Sequence, residues 1–432
     1  MRYTLLSLGL LLAGQAATGQ TAPTLDPTQF QSAAATDSPV ETIGLKASAA
    51  VDSFAWRSPA PGLVGAAGVA NAPAQLLRSV LDFRKEWRLG EQTRLTVSDR
   101  LEGLQDDHGH GTVRNALREA YASVGLSEDW FVDVGRINVR SGVGLGFNPS
   151  DWLREGASLP QATQNPASQR ENRLGTAMLK VQAVQTWGAG HLALIPRLAD
   201  RPSEVSPYGV DLGRTNADPA LHARFAPQFS EYISVDALAY ARQGRYPQWG
   251  LNATAVLGQA WIAHLEWSAG SREGLAGSGQ ARVQALHHRV ASGVSWTAAS
   301  GAVLAIERHL STDALGREDW DAWRLSTGAA SARGLGLLRA ERSALQEPLL
   351  RDAWFARMAL NGLLRDPDID LSGFVRLNPH DHSSLWQLDG SWHASAHMSV
   401  HASVGGFAGS ARSEFGDNPL RSFVTLRVEW AY

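Results

Sequence analysis

The sequence predicts an all-β protein, a transmembrane antiparallel β-barrel of about 18 strands (range about 16–20), with short periplasmic turns and long extracellular loops. Three observations carry this: the closing stretch Phe423 to Tyr432, two-residue alternation repeated along the chain, and a regular exchange of tight turns with longer connections. In the closing stretch, Val424, Leu426, Val428, Trp430 and Tyr432 share one parity, and Thr425, Arg427 and Glu429 the other. Period two is the spacing of a strand whose faces meet different environments. A chain ending on a strand with Trp and Tyr on its apolar face suits a lipid boundary, where aromatic belts form.

The N-terminus gives an address. Arg2, the apolar run Tyr3 to Leu12 and the small residues after it read as a secretory signal peptide over 1–19, cut between Ala16 and Gln20. Residues 20–40, rich in Ala, Thr, Gln and Pro, read as a flexible periplasmic lead-in, and 41–432 as the barrel. No later stretch reaches the ~20 apolar residues of a membrane helix. The expected destination is the outer membrane of a Gram-negative bacterium. With no Cys there is neither a disulfide framework nor a thiolate metal site. A formal charge of -3 argues against a nucleic-acid partner.

Alternation then marks strands in order along 81–89, 95–101, 179–187, 249–257, 261–267, 354–360, 369–377, 386–392 and 398–404. In 261–267, for example, Trp261, Ala263, Leu265 and Trp267 oppose His264 and Glu266. Such segments approach the ~10 residues of a tilted membrane strand. Tight turns are expected at 89–91, 187–190, 257–259, 299–301 and 393–395. Longer connections are expected near 102–114, 141–173, 199–219, 271–280, 311–321 and 407–419. Counted back from the C-terminus, every tight turn falls on the side of both termini, as in outer-membrane barrels. A direct count gives about 20 segments; 322–340, with Arg333-Gly334-Leu335-Gly336-Leu337-Leu338, reads equally as a helix, and removing it leaves about 18. A ring of that size is too wide for wall side chains to fill, so a water-filled path narrowed by loops is expected.

The longest connection, 141–173, is the candidate constriction, because a structureless loop of this length is uncommon unless functional or disordered. Asn148-Pro149 forces a turn, and Asp151 is placed to cap the next one. If the loop enters the lumen, Arg140, Asp151, Arg154, Glu155, Arg170 and Arg173 would present charge to a solute. Just upstream, Arg118-Glu119-Ala120-Tyr121, Val134-Gly135-Arg136-Ile137-Asn138 with Gly142, and Asn148-Pro149-Ser150-Asp151 together resemble a strand–strand–loop block. That block recurs in Gram-negative outer-membrane porin and export-channel families, including alginate-export-like and related porin-like barrels. The resemblance implies a channel of this general size and names no solute.

Polar parity assigns a lumen wall with Arg84, Arg88, Arg100, Lys180, Arg357, Arg376 and Arg427 against Asp82, Glu86, Glu266, Asp370, Asp389 and Glu429. The signs nearly cancel, so the wall reads as cross-linked rather than as a ring selecting a polyanion. Histidines near 106–110 and 380–382 read as polar loop tips. His397 and His401, four apart on a strand, sit ~13 Å apart, too far for one metal ion. The His264–Glu266 spacing would suit a general-base pair, yet both fit a wall equally well. No HExxH, GxSxG or phosphate-loop motif occurs.

The expectation is a solute channel without catalytic, cofactor or metal residues. The alternatives are a barrel serving a secretion or envelope-assembly system, and a surface hydrolase. Expected partners are outer-membrane lipid, a small solute or exported polymer, and the barrel-assembly machinery, reading Trp430 and Tyr432 as its terminal signal.

Overall fold

The structure, a computed structural model, describes residues 43–57, 72–159, 163–200, 210–326, 329–363 and 366–432. The signal peptide and the whole of the lead-in expected over 1–40 lie outside the described residues. Eighteen antiparallel strands form one sheet in sequence order, and β1 pairs with both β2 and β18, so the sheet is a closed ring. Closure leaves no unpaired edge, which is what lets strands cross lipid.

The strands are β1 (Ile43–Trp56), β2 (Gln75–Arg88), β3 (Thr93–Asp106), β4 (Gly111–Gly125), β5 (Trp130–Ile137), β6 (Thr176–Gln185), β7 (Gly188–Ile195), β8 (Ala220–Pro227) and β9 (Ile233–Arg242). The second half of the ring is β10 (Gln248–Leu257), β11 (Trp261–Glu273), β12 (Gln284–Thr297), β13 (Val303–Ser311), β14 (Asp352–Asn361), β15 (Ile369–Leu377), β16 (Ser384–His393), β17 (Met398–Ala408) and β18 (Leu420–Ala431).

Burial agrees with the expected parity. On β18, Val424 and Leu426 are 51% and 53% exposed on the outer face, whereas Phe423 is 1% exposed on the inner one. Trp430 points outward, as do Trp130, Trp187, Trp261 and Trp392, while Trp249, Trp267, Trp354 and Trp386 form a second outward set toward the other end. Two aromatic bands flanking an apolar belt are the signature of a barrel in a membrane.

Both ends of the ring near Lys46 and Ala431 lie on one side, with the five expected tight turns beside them. Further short turns at 126–129 and 228–232, which alternation and glycine spacing do not mark, share that side. The opposite side corrects one expectation. The connection placed at 102–114 is only 107–110, because β3 and β4 run on as a tight hairpin in which Asp106 accepts from the backbone N–H groups of His108 and His110. The connections 243–247 and 378–383 are short too, so long loops are the rule on this side but not universal.

The ambiguous segment is helical. The connection 312–351 carries α3 (Arg317–Leu325) and α4 (Ala329–Ala344), preceded along the chain by α1 (Pro166–Glu171) and α2 (Leu212–Thr215). Leu335 and Leu338 of α4 pack with Leu315, Trp320, Leu349 and Leu350 into an apolar cluster of that loop's own.

Candidate functional site: a loop pinned across the lumen

The connection from β5 to β6, residues 138–175, folds into the barrel and reaches its far wall. Two glutamates receive it. Glu266 of β11 accepts from the N–H groups of Val143 (2.8 Å) and Gly144 (3.0 Å), the side-chain amide of Asn148 (3.1 Å), and both N–H and Oγ of Ser150 (2.8 Å each). Glu307 of β13 accepts from the N–H groups of Leu145 (2.5 Å) and Gly146 (2.8 Å), and its oxygens also meet the imidazoles of His264 (2.7 Å) and His309 (2.9 Å). Both carboxylates are fully buried. A buried carboxylate is tolerated only when its lone pairs are met by donors, and here the loop backbone supplies them.

Contact this close needs glycine. A Cβ on Gly142, which has φ +98°, would lie 2.5 Å from the Glu266 carboxylate, and one on Gly146 would lie 2.5 Å from the ring of Phe355. The alternating glycines 142, 144 and 146 are the sequence signal that could have revealed the docking segment. Glu307 was missed because β13 is short, with polar residues at both parities near its end. The proposed pairing of His264 with Glu266 is replaced by His264 with Glu307.

The charged loop residues expected to face a solute are mostly buried instead. Asp151 forms a two-pronged pair with Arg173 (2.8 and 3.1 Å) and does not cap the turn Trp152–Arg154 directly after it. Burial alone would raise its carboxyl, but Arg173 and Arg170 outweigh that and hold it below the usual range. Arg154 is buried, donating to the Asn148 carbonyl (3.0 Å) and to Glu347 (3.4 Å). Arg170 donates to the Ser141 carbonyl (2.9 Å), and Arg140 lies half-buried close enough to bear on its charge. Glu155 pairs with Arg242 (3.3 Å) and Arg245 (2.8 Å) on the β9–β10 side. Asp151, Arg154, Glu155, Arg170 and Arg173 hold the loop's shape, because a chain crossing the lumen must satisfy its own polar groups there.

Packing finishes the anchoring. Trp152 stacks on Tyr240 at 5.8 Å within a cluster that includes Leu153, Met178, Ile195 and Leu238. On the other flank Leu145 packs against Phe355, Phe374, Leu385, Phe407 and Phe415. Arg376, expected on the lumen wall, is there and donates to the Gly146 carbonyl (2.7 Å).

Residues 163–172 then form a bar between two walls. At one end the Gln164 N–H donates to Gln387 of β16 (2.8 Å), and Gln387 donates to the Thr163 hydroxyl (2.9 Å). Helix α1 comes next, capped by the Asn165 side chain, with Pro166 in its first turn. At the other end Asn172 meets Arg100 of β3 and Arg118 of β4. Between the bar's two anchor points, on β16 and on β3 and β4, the ring runs through β17, β18, β1 and β2.

The wall of that arc is charged and paired. Arg78 bridges Asp52 (2.9 Å) and Glu102 (3.0 Å), Arg114 joins Glu102 (3.2 Å), and Arg118 and Arg100 share Asp82 (2.8 and 3.4 Å). Arg84 pairs with Glu119, and Arg427 lies 3.7 Å from Glu429. The Arg84 and Arg427 side chains keep 47% and 40% of their surface open, so solvent reaches this wall. Arg118 and Glu119 both face inward because the β3–β4 register slips between Ser98 and Asp99, a bulge that alternation alone does not foresee.

No protein-family profile and no curated protein matches the sequence. Solved structures do match. Pseudomonas aeruginosa OccK5 (OpdH) superposes with a TM-score of 0.52 at 7% identity, over 90% of this chain and 96% of that one. OccK3 (OpdO) of the same organism gives 0.52 at 10%, over 90% and 95%. OccK2 (OpdF), solved in complex with glucuronate, gives 0.52 at 12%, over 90% and 97%. At such identities the likeness is one of fold, and it agrees with the porin-like barrel that the resemblance of the 118–151 block implied. The chain is an 18-stranded antiparallel β-barrel with the fold of outer-membrane porins.

Proposed function

We propose that this barrel is a passive outer-membrane channel for a small polar solute, whose path runs through the arc β16–β18 and β1–β4 beside the 138–175 loop. The observation that carries the reading is the loop itself, drawn across the lumen onto Glu266 and Glu307 beside a charged wall that solvent reaches. Such a wall suits a hydrated solute that exchanges water for polar contacts. A polymer would need the anchored loop displaced, so the solute reading is preferred to export of a chain. OccK2 was solved with glucuronate, and sugar acids of that size are the first solutes to test.

The test is conductance in planar bilayers, then swelling of liposomes in candidate solutes. Discrete ohmic steps are expected, with sugar-acid uptake exceeding that of larger oligosaccharides. A purified, folded barrel that passes no current and no solute would overturn the proposal. We read Trp430 and Tyr432 as the terminal signal for the assembly machinery, since both stand exposed at the end of β18.

A further inference from the structure

We infer that Asn172 is a positioning residue, an amide clip that sets the width of the passage and the placement of the two guanidiniums beside it. The inference rests on the proposed channel function. The Asn172 side chain is oriented from both ends. Nδ2 donates to the Ser168 carbonyl (3.1 Å), so Oδ1 faces the wall, where it accepts from Arg118 (3.0 Å) and Arg100 (3.2 Å). The Asn172 N–H also closes α1 onto the Ser168 carbonyl at 3.0 Å. Arg118 and Arg100 are held on their other side by Asp82. All three wall side chains keep partial solvent access, at 13%, 16% and 24%, so the clip stands on the passage and not in the packed part of the lumen.

An amide oxygen suits this place. It accepts from two cations without adding a charge of its own, so the bar is fixed while the balance of charge on the wall is left as it is. A carboxylate at 172 would bind the same pair more tightly and neutralise part of it. An apolar side chain would release the bar and leave both guanidiniums to move.

The experiment compares Asn172→Leu, Asn172→Asp and the wild type. In planar bilayers under a salt gradient, Asn172→Leu is expected to raise conductance and add open-channel noise. Asn172→Asp is expected to keep wild-type conductance and noise while moving the reversal potential toward cations. A merely structural residue would lower heat stability and raise open-channel noise in both variants alike. If Asn172→Leu does not assemble, Asn172→Asp alone decides, and an unchanged reversal potential overturns the inference. A wild type that carries no current would sink the channel function. The clip is then judged by hydrogen exchange in detergent. Faster exchange at the Gln169 and Asn172 amides in Asn172→Leu supports it, and unchanged exchange refutes it.

Discussion

Glu266 shows how one residue can fix a loop many positions away in sequence. Donors from Val143, Gly144, Asn148 and Ser150 converge on its two oxygens, and most are backbone groups. Hydrogen bonds to a charged group contribute about 1.5–3 kcal/mol each. Losing several at once therefore outweighs the packing that remains around the segment. Glu266→Gln keeps the volume but removes the charge and offers an amide where donors already point. The expected outcome is local. Hydrogen exchange should quicken at Val143, Gly144 and Ser150, while Leu145 and Gly146, held by Glu307, stay protected. Uniform protection in the variant would show that packing, not this carboxylate, holds the loop. The buried pair Asp151–Arg173 works differently, because the contact is charge to charge, and removing one partner strands a buried charge at about 3–5 kcal/mol.

Elements decide how much of this is legible in the sequence. Strands are legible wherever lipid and lumen impose opposite chemistry on alternate residues, as in 261–267 and 386–392. Strand β1, with Ala at 47, 49, 50 and 55, carries too weak a contrast for that reading. At β4 the bulge places Arg118 and Glu119 on one face, so the key wall arginine is invisible to parity. The loop is legible as an element from its length and its Asn-Pro turn, but the roles of its charges are not. Burial of Asp151, Arg154 and Arg173 depends on contacts with Glu347 and Val139 that no local pattern encodes.

The β17–β18 connection adds a prediction at the same scale. Burial and the neighbouring Asp381 push the Glu414 carboxyl up to about 7 from 4.5, against the pull of Arg376 and Arg339. A raised carboxyl pKa means that the folded loop favours the protonated form. Its contribution to stability is fully present below the ordinary carboxyl pKa and is lost as pH rises through about 7. Protection from exchange, relative to the intrinsic rate at each pH, and resistance to proteolysis within 409–419 should therefore fall between about pH 5 and about pH 8. Glu414→Gln should flatten that dependence, and an identical pH profile in the variant would refute the assignment.

At the scale of the whole molecule, sidedness comes from the ring. Because β1 and β18 close it near Lys46 and Ala431, the orientation of the last strand orients each turn and loop before it. Neighbouring residues on β18 then meet opposite solvents. Leu426 is 53% exposed on the outer belt, while Thr425 turns inward and its hydroxyl donates to Asp52 at 2.7 Å. Arginine at a lipid-facing position near the bilayer centre costs about 2–4 kcal/mol, and the same residue in the lumen costs far less. Leu426→Arg should therefore block insertion or lower the temperature at which the folded form loses its heat-modified mobility on a gel. Thr425→Arg should fold as the wild type does, since Asp52 can accept the new cation as it already accepts Arg78. Equal defects in the two variants would mean that the register of the closing strand is wrong, and with it the assignment of lipid and lumen faces around the barrel.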